Sequence, residues 1–285
     1  MAKIDLKDVS YRYPFTREYA LKDITYTFEP GRFYGIIGEN GAGKTTLCNL
    51  IRGLIPHFYK GKLKGDVIVN DTNIREADLD ELSAQIGYVF QNPFTQISGI
   101  KETVFEEVAM GLENLGVPKE EIIEKVTYYC ELLKIEDLIA KNPNELSGGQ
   151  RQRVAFASII SMETEMLIID EPTSQLDPEG TQDVFGIIKT LKDSGKTIIL
   201  VEHKIDMIAE YCDEIVVMSG GSIACSGKTE QILSDSQILE YGAMMPQTAI
   251  FGHEMKQAGK PLARIPITLS EAVSLVKARE VKNGD

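Results

Sequence analysis

The sequence holds no run of about 18 apolar residues, the least that a membrane-crossing helix needs. Any membrane role is therefore expected to be peripheral, through a partner. Basic residues are in deficit, with 30 Lys and Arg against 43 Asp and Glu and a formal net charge of −13. Coating nucleic acid rewards basic surfaces, so no nucleic-acid partner is expected. Cysteine is scarce, and Cys48, Cys130, Cys212 and Cys225 show no metal-like spacing. They stand inside regular patterns and read as buried, reduced thiols of a cytosolic protein. His57 and His253 lie in loop-like surroundings and are expected at the surface. There is no internal repeat and no low-complexity segment. The start, MAKIDLKDVSYRY, alternates charges with apolar residues and does not read as a signal peptide.

What is present is a 285-residue chain with 43% hydrophobic residues, enough for a real core. IDLKDVSYRY and ALKDITYTFE alternate and predict strands joined by a turn. FYGIIG, GDVIVN, IGYVFQ, MLIID and KTIILVEH predict further strands, and EIVVMSGGSIACSG a hairpin turning on Gly-Gly. Helical periodicity fills 101–141 and resumes at 149–162. The segment after MLIID reads as a helix with Asp177 as N-cap, Pro178 in its first turn and Gly195 as its stop. Strands alternating with helices imply an α/β fold around a parallel sheet. The start adds an antiparallel β subdomain, and about 92–162 a helical one.

Between FYGII and the helical KTTLCNLIRGL lies GENGAGKT, which fits G-x-x-x-x-G-K-[ST]. Gly38, Glu39, Asn40, Gly41, Ala42, Gly43, Lys44, Thr45 and Thr46 are expected to wrap phosphate oxygens with backbone N–H groups, aided by the helix N-terminus. Lys44 would reach the β and γ phosphates of ATP, and Thr45 would ligate Mg²⁺. Asp170 and Glu171 end a buried strand. They suit metal support and proton acceptance from an attacking water, or they simply favour the next helix N-terminus. Gln91 and His203 each end a strand and are either phosphate-sensing groups or ordinary strand-end residues. Tyr13 either stacks on adenine or packs on its sheet. Ser147 and Gln150 of LSGGQ form a capping-box pattern around Gly148 and Gly149.

In this order GENGAGKT, FQNP, LSGGQ, LIIDEP, SQLD and VEH resemble the nucleotide-binding subunit of ATP-binding-cassette (ABC) transporters, over roughly residues 4–235. The resemblance implies a P-loop NTPase domain over 1–235 and a small C-terminal extension over 236–285 that braces a dimer. It implies that Tyr13 stacks on adenine, that Thr45, Gln91 and Asp170 serve Mg²⁺, that Glu171 is the base and that His203 is a switch. It implies that Ser147, Gly148, Gly149 and Gln150 address ATP held by a second ATPase subunit, identical or paralogous. Asp177 would belong to the loop crossing that interface. Gln175 departs from the small residue more usual there and puts the fine geometry of the crossing in doubt.

GLIPHFYKGKLKGDV and VFQNPFTQISGIKETVFEEVAMGLENLGVP look like the ATPases of energy-coupling factor (ECF) importers of vitamins or transition-metal ions. This implies a place on the cytoplasmic face of a bacterial cell membrane. A transmembrane T component would dock near residues 91–115, with Glu102, Glu106 and Glu107 facing its basic residues, and a substrate-binding S component would join indirectly. The alternatives are another ABC importer or exporter, or a soluble ABC ATPase of DNA repair or translation. The acidic balance, the absence of a coiled-coil insertion and the single phosphate loop count against the last.

Overall fold

A computed structural model describes residues 2–173 and 176–283. The strands in chain order are β1 (Ile4–Arg12), β2 (Leu21–Phe28), β3 (Phe33–Ile37), β4 (Lys62–Val69), β5 (Thr72–Asn73), β6 (Ile86–Val89), β7 (Met166–Asp170), β8 (Thr197–Val201), β9 (Glu214–Ser219) and β10 (Ser222–Lys228). The helices are α1 (Lys44–Ile51), α2 (Leu54–His57), α3 (Leu79–Gln85), α4 (Pro93–Gln96), α5 (Val104–Asn114), α6 (Lys119–Leu132), α7 (Gly148–Ile160), α8 (Pro178–Asp193), α9 (Ile205–Tyr211), α10 (Thr229–Leu233), α11 (Gln247–Gln257) and α12 (Leu269–Asn283).

Six strands form one sheet in the order β10-β9-β3-β8-β7-β6. β3 pairs in parallel with β8 and β9, β7 with β8 and β6, and only the β9–β10 hairpin is antiparallel. Every residue of β3, β6, β7 and β8 is buried. A sheet covered on both faces needs such unbroken apolar strands, and FYGII and TIILV supply them. Their carboxyl ends open on one side, where ligands bind in open α/β sheets. The phosphate loop, Gln91 and His203 follow those ends, and Asp170 is the last residue of β7.

A second, antiparallel sheet runs β2-β1-β4-β5. Tyr11, Phe28 and Tyr34 are fully buried in the core shared by the two sheets and α1. The other core joins the six-stranded sheet to α5, α6, α7 and α8. Ile238, Ala243, Met245, Ala249 and Ile267 belong to that same cluster. The C-terminal segment is thus packed into the main core, and α11 and α12 follow the Pro-marked pattern of the sequence.

Cys48, Cys130 and Cys212 are buried and unpaired, as expected, whereas Cys225 is only half-buried. Burial pushes the Cys130 thiol up to about 11 and raises Cys48 and Cys212 as well, which makes them poor nucleophiles. His57 ends α2 and His253 lies within α11, so neither is the loop residue at the surface that was expected. Nε2 of His57 lies 2.5 Å from the Ile74 carbonyl oxygen, and that of His253 lies 2.9 Å from Ser234 O. Both rings are half-buried.

Candidate active site

The phosphate loop leaves β3 at Gly38, with φ +142°. A Cβ there would fall 2.1 Å from the Met218 carbonyl oxygen of β9, so only glycine lets the loop pass. Gly43 precedes α1 at φ +101° and contributes no side-chain cap. No acidic residue stands in the first turn of α1. The helix therefore presents backbone N–H groups and a positive end toward an outside anion. Lys44 Nζ donates to the Gly38 and Glu39 carbonyls at 2.8 and 3.1 Å, which holds the loop arched. Burial lowers the Lys44 pKa, and the charges of Glu171 and Asp170 oppose that shift.

The loop bounds a cavity of about 540 Å³ lined by Asn40, Gly41, Gly43, Lys44, Thr45, Thr46, Gln91, Glu171 and His203. Small-molecule sites typically span about 300–1,000 Å³. Behind Thr45 the buried Asp170 accepts on Oδ2 from Tyr88 Oη at 2.8 Å and from Thr45 Oγ1 at 3.3 Å. Burial pushes the Asp170 carboxyl above the usual carboxylate range, while these two donors pull it back. Burial likewise holds the proton on Tyr88 far beyond an ordinary phenol.

Glu171 follows in the left-handed region, at φ +47°. For a non-glycine residue that conformation is uncommon, and such strain gathers at functional sites. Its N–H donates to Val201 O at 2.8 Å, which fixes the turn. Its carboxylate accepts from the Gln91 side-chain amide on Oε2, and His203 Nε2 lies 2.9 Å from Oε1. Gln91, Glu171 and His203 come from three different strand ends and meet on one carboxylate. A carboxylate so placed at the cavity wall can accept a proton from a water beside a bound phosphate.

The donors also fit a metal. Thr45 and Asp170 offer oxygens within hydrogen-bond reach of each other, and Gln91 lies on the same cavity wall. Hard oxygen donors suit Mg²⁺. Among the described residues no group of three or more His, Cys, Asp or Glu could cage a metal.

Tyr13 flanks the cavity: its hydroxyl lies 3.2 Å from Thr46 Oγ1, and its ring meets Tyr11 edge-on at 4.8 Å. The LSGGQ residues do not line the cavity. They start α7 in a full capping box. Ser147 N donates to Gln150 Oε1 at 3.1 Å, and Gln150 N to Ser147 Oγ at 3.4 Å. A Cβ on Gly148 would meet nothing within 4 Å, and one on Gly149 only Leu176 at an ordinary 3.6 Å. Packing within this chain does not require either glycine. Asp177 caps α8 by accepting from Gly180 N at 2.8 Å. Gln175 lies outside the described residues.

Of the three glutamates assigned to a partner, Glu107 needs correction, while Glu102 and Glu106 are exposed. Glu107 is 2% exposed and binds Ser98 N and Oγ at 2.7 and 2.6 Å, so it serves the fold. Glu106 completes a capping box with Thr103. Of the three, only Glu102 has no such structural task in its side chain's contacts. Glu107 stands three residues after Val104, on the stripe with Val108 and Leu112, and that spacing is the signal for its burial.

Other residues escaped sequence reasoning. Arg151 is buried beneath the LSGGQ turn, donates to Asn144 O and Leu146 O, and lies 4.1 Å from the Phe94 ring centre. Gln96 accepts from Phe90 N and donates to Ala155 O of α7. Both tie the segment after Gln91 to the LSGGQ helix.

The family model for ABC transporters matches residues 21–174. The chain is 42% identical over 279 residues to a putative ABC transporter ATP-binding protein of Pyrococcus horikoshii, covering 97% of each. It is 37% identical over 285 residues to the energy-coupling factor transporter ATP-binding protein EcfA2 of Streptococcus agalactiae, covering 96% of this chain and 99% of that one. Among solved structures, cbiO1 of Clostridium perfringens, part of the ABC transporter complex cbiONQ, matches with a TM-score of 0.72 at 30% identity, covering 89% of this chain and 98% of that one. A dimeric post-hydrolysis state of the ATP-binding cassette MJ0796 with ADP and Pi bound matches at 0.69 and 28% identity, covering 79% and 98%. By these likenesses the chain is an ATPase and belongs to the ABC transporter family.

Proposed function

We propose that this ATPase powers an importer of the energy-coupling factor type. The chemistry rests on the meeting of Gln91 and His203 on the Glu171 carboxylate beside the phosphate loop. The transporter type is supported by the likeness to EcfA2, which runs through the C-terminal segment as well as the cassette. In this reading Tyr13 stacks on adenine, and residues 38–46 hold the phosphates of ATP. Thr45, Asp170 and Gln91 hold Mg²⁺, which when bound neutralises phosphate charge. Glu171 accepts the proton of the attacking water, and His203 steadies that water or the γ-phosphate.

Two subunits close head to tail over two ATP molecules. Ser147, Gly148, Gly149 and Gln150 of each approach the γ-phosphate held by the other, near the loop that Asp177 caps. ATP thus has differential affinity for the closed dimer, and hydrolysis reopens it. A transmembrane T component docks on residues 91–115 at the cytoplasmic face. Because Gln96 and Arg151 tie that segment to α7, closure is passed to the partner. An S component brings the substrate, a vitamin or a transition-metal ion. Affinity purification of the tagged chain from detergent-extracted membranes, followed by mass spectrometry of the intact complex, tests this. A polytopic T-type subunit together with a second ATPase is expected; a chain recovered repeatedly without any polytopic partner would reject the importer reading.

The C-terminal segment braces the dimer. α11 and α12 leave an apolar groove of about 520 Å³ lined by Phe251, Leu269, Ala272, Val273 and Val276. Phe251, Leu269 and Val273 are exposed large apolar residues. Truncation after Ser236 would also remove core residues such as Ile238 and Ala249, so point changes are the cleaner test. Phe251→Glu with Val273→Glu is expected to lower the dimer fraction in sedimentation velocity at an unchanged melting temperature. An unchanged dimer fraction would remove the bracing role.

A further inference from the structure

We propose that Tyr88, clamped by Arg52, is a positioning residue that orients Asp170 and so sets the affinity of the site for the Mg²⁺ of Mg–ATP. The proposal rests on the reading of Thr45 and Asp170 as the metal's supports. Tyr88 lies in β6, beside β7, with its ring buried and its hydroxyl 2.8 Å from Asp170 Oδ2. That oxygen has a second donor, Thr45, at 3.3 Å. Thr45 stands at the start of α1 and is itself a candidate metal ligand, so with the ion bound its hydroxyl would have two tasks, its oxygen toward the metal and its proton toward Asp170. Tyr88 has no such second task and remains the fixed donor.

The ring is held in turn. The Arg52 guanidinium carbon lies 3.8 Å from the centre of the Tyr88 ring and 5.0 Å from that of Phe90, a cation over two aromatic faces. Arg52 caps the C-terminus of α1, and its Nε donates to Asn49 Oδ1 at 3.2 Å. A single side chain thus joins the helix that follows the phosphate loop to the strand that leads into Gln91. A phenylalanine at 88 would fill the same space, and packing alone does not call for a hydroxyl. A buried carboxylate does call for donors, because without them it loses both its compensation for burial and its fixed orientation.

The test uses the full chain and a fluorescent ATP analogue, titrated with Mg²⁺. In Tyr88→Phe, analogue binding in EDTA is expected to match the parent, while the Mg²⁺ concentration for half-effect rises about tenfold or more, the usual size for loss of a group that orients a metal ligand. Arg52→Met is expected to shift it in the same direction by less. Thr45→Ala is the control for the metal site itself. If Thr45→Ala shifts the Mg²⁺ dependence and Tyr88→Phe does not, the positioning role is wrong and the metal reading stands. If neither shifts it, the metal reading fails and takes the proposal with it. A lowered melting temperature with unchanged Mg²⁺ dependence would make Tyr88 a packing residue only and overturn the proposal.

Discussion

Replacing Glu171 by glutamine is expected to preserve ATP binding and to lower turnover about 10²–10⁴-fold, the usual loss when a general base is removed. Glutamine keeps the volume and one acceptor oxygen, so the phosphate loop and Lys44 are left untouched. What disappears is the capacity to take a proton. Under the proposed cycle, in which closure needs binding and reopening needs hydrolysis, the variant should also accumulate as an ATP-bound dimer. Turnover by malachite-green phosphate release and dimer formation by gel filtration with ATP measure the two effects separately. Turnover within about tenfold of the parent would place the base elsewhere. Because Gln91 and His203 both contact the Glu171 carboxylate, changes at these three positions should not be additive. His203→Ala added to Glu171→Gln should cost far less than His203→Ala alone.

Periodicity and spacing reach the parts of this site that are local, whereas the gathering of its distant parts was implied only by the family resemblance. The LSGGQ capping box links residues three apart, and the pattern of residue types alone predicts it. The order of GENGAGKT, Gln91, the acidic strand end and His203 followed from strands ending in polar residues. Their meeting did not: Gln91 and Glu171 are 80 positions apart, and Tyr88 and Asp170 are 82. Such contacts depend on β6 lying beside β7 and on β8 lying at the other side of β7, a strand order that periodicity does not carry. Tyr88 was hidden for a further reason. In IGYVFQ it reads as one more aromatic of a buried strand, and only its hydroxyl has a partner of consequence. The left-handed turn at Glu171 was equally invisible, since glutamate carries no mark of positive φ. Glu107, by contrast, was legible from helical phase, and the correction there concerns reading rather than information.

Gly149→Asp is expected to fold as well as the parent and to hydrolyse ATP at least about 10²-fold more slowly, a loss on the scale of removing one transition-state donor. The two halves of that expectation have separate causes. Within the chain, a Cβ at 149 meets only Leu176 at 3.6 Å, so no clash arises. Position 149 lies in the first turn of α7, where an added carboxylate interacts favourably with the helix dipole and glycine is a poor helix former. The melting temperature should therefore hold or rise. If the α7 N-terminus approaches the γ-phosphate of ATP in a second subunit, the same carboxylate sets a negative charge against the phosphate and blocks closure. ATP binding to the isolated subunit should survive, because residues 147–150 do not line its own cavity. A mixture of Gly149→Asp with Lys44→Ala subunits sharpens the test. One of the two composite sites in such a mixed dimer pairs an intact phosphate loop with an intact LSGGQ turn, and partial activity should return. No recovery on mixing, together with strong ATP binding by Gly149→Asp alone, would argue that the LSGGQ turn does not act across a subunit boundary.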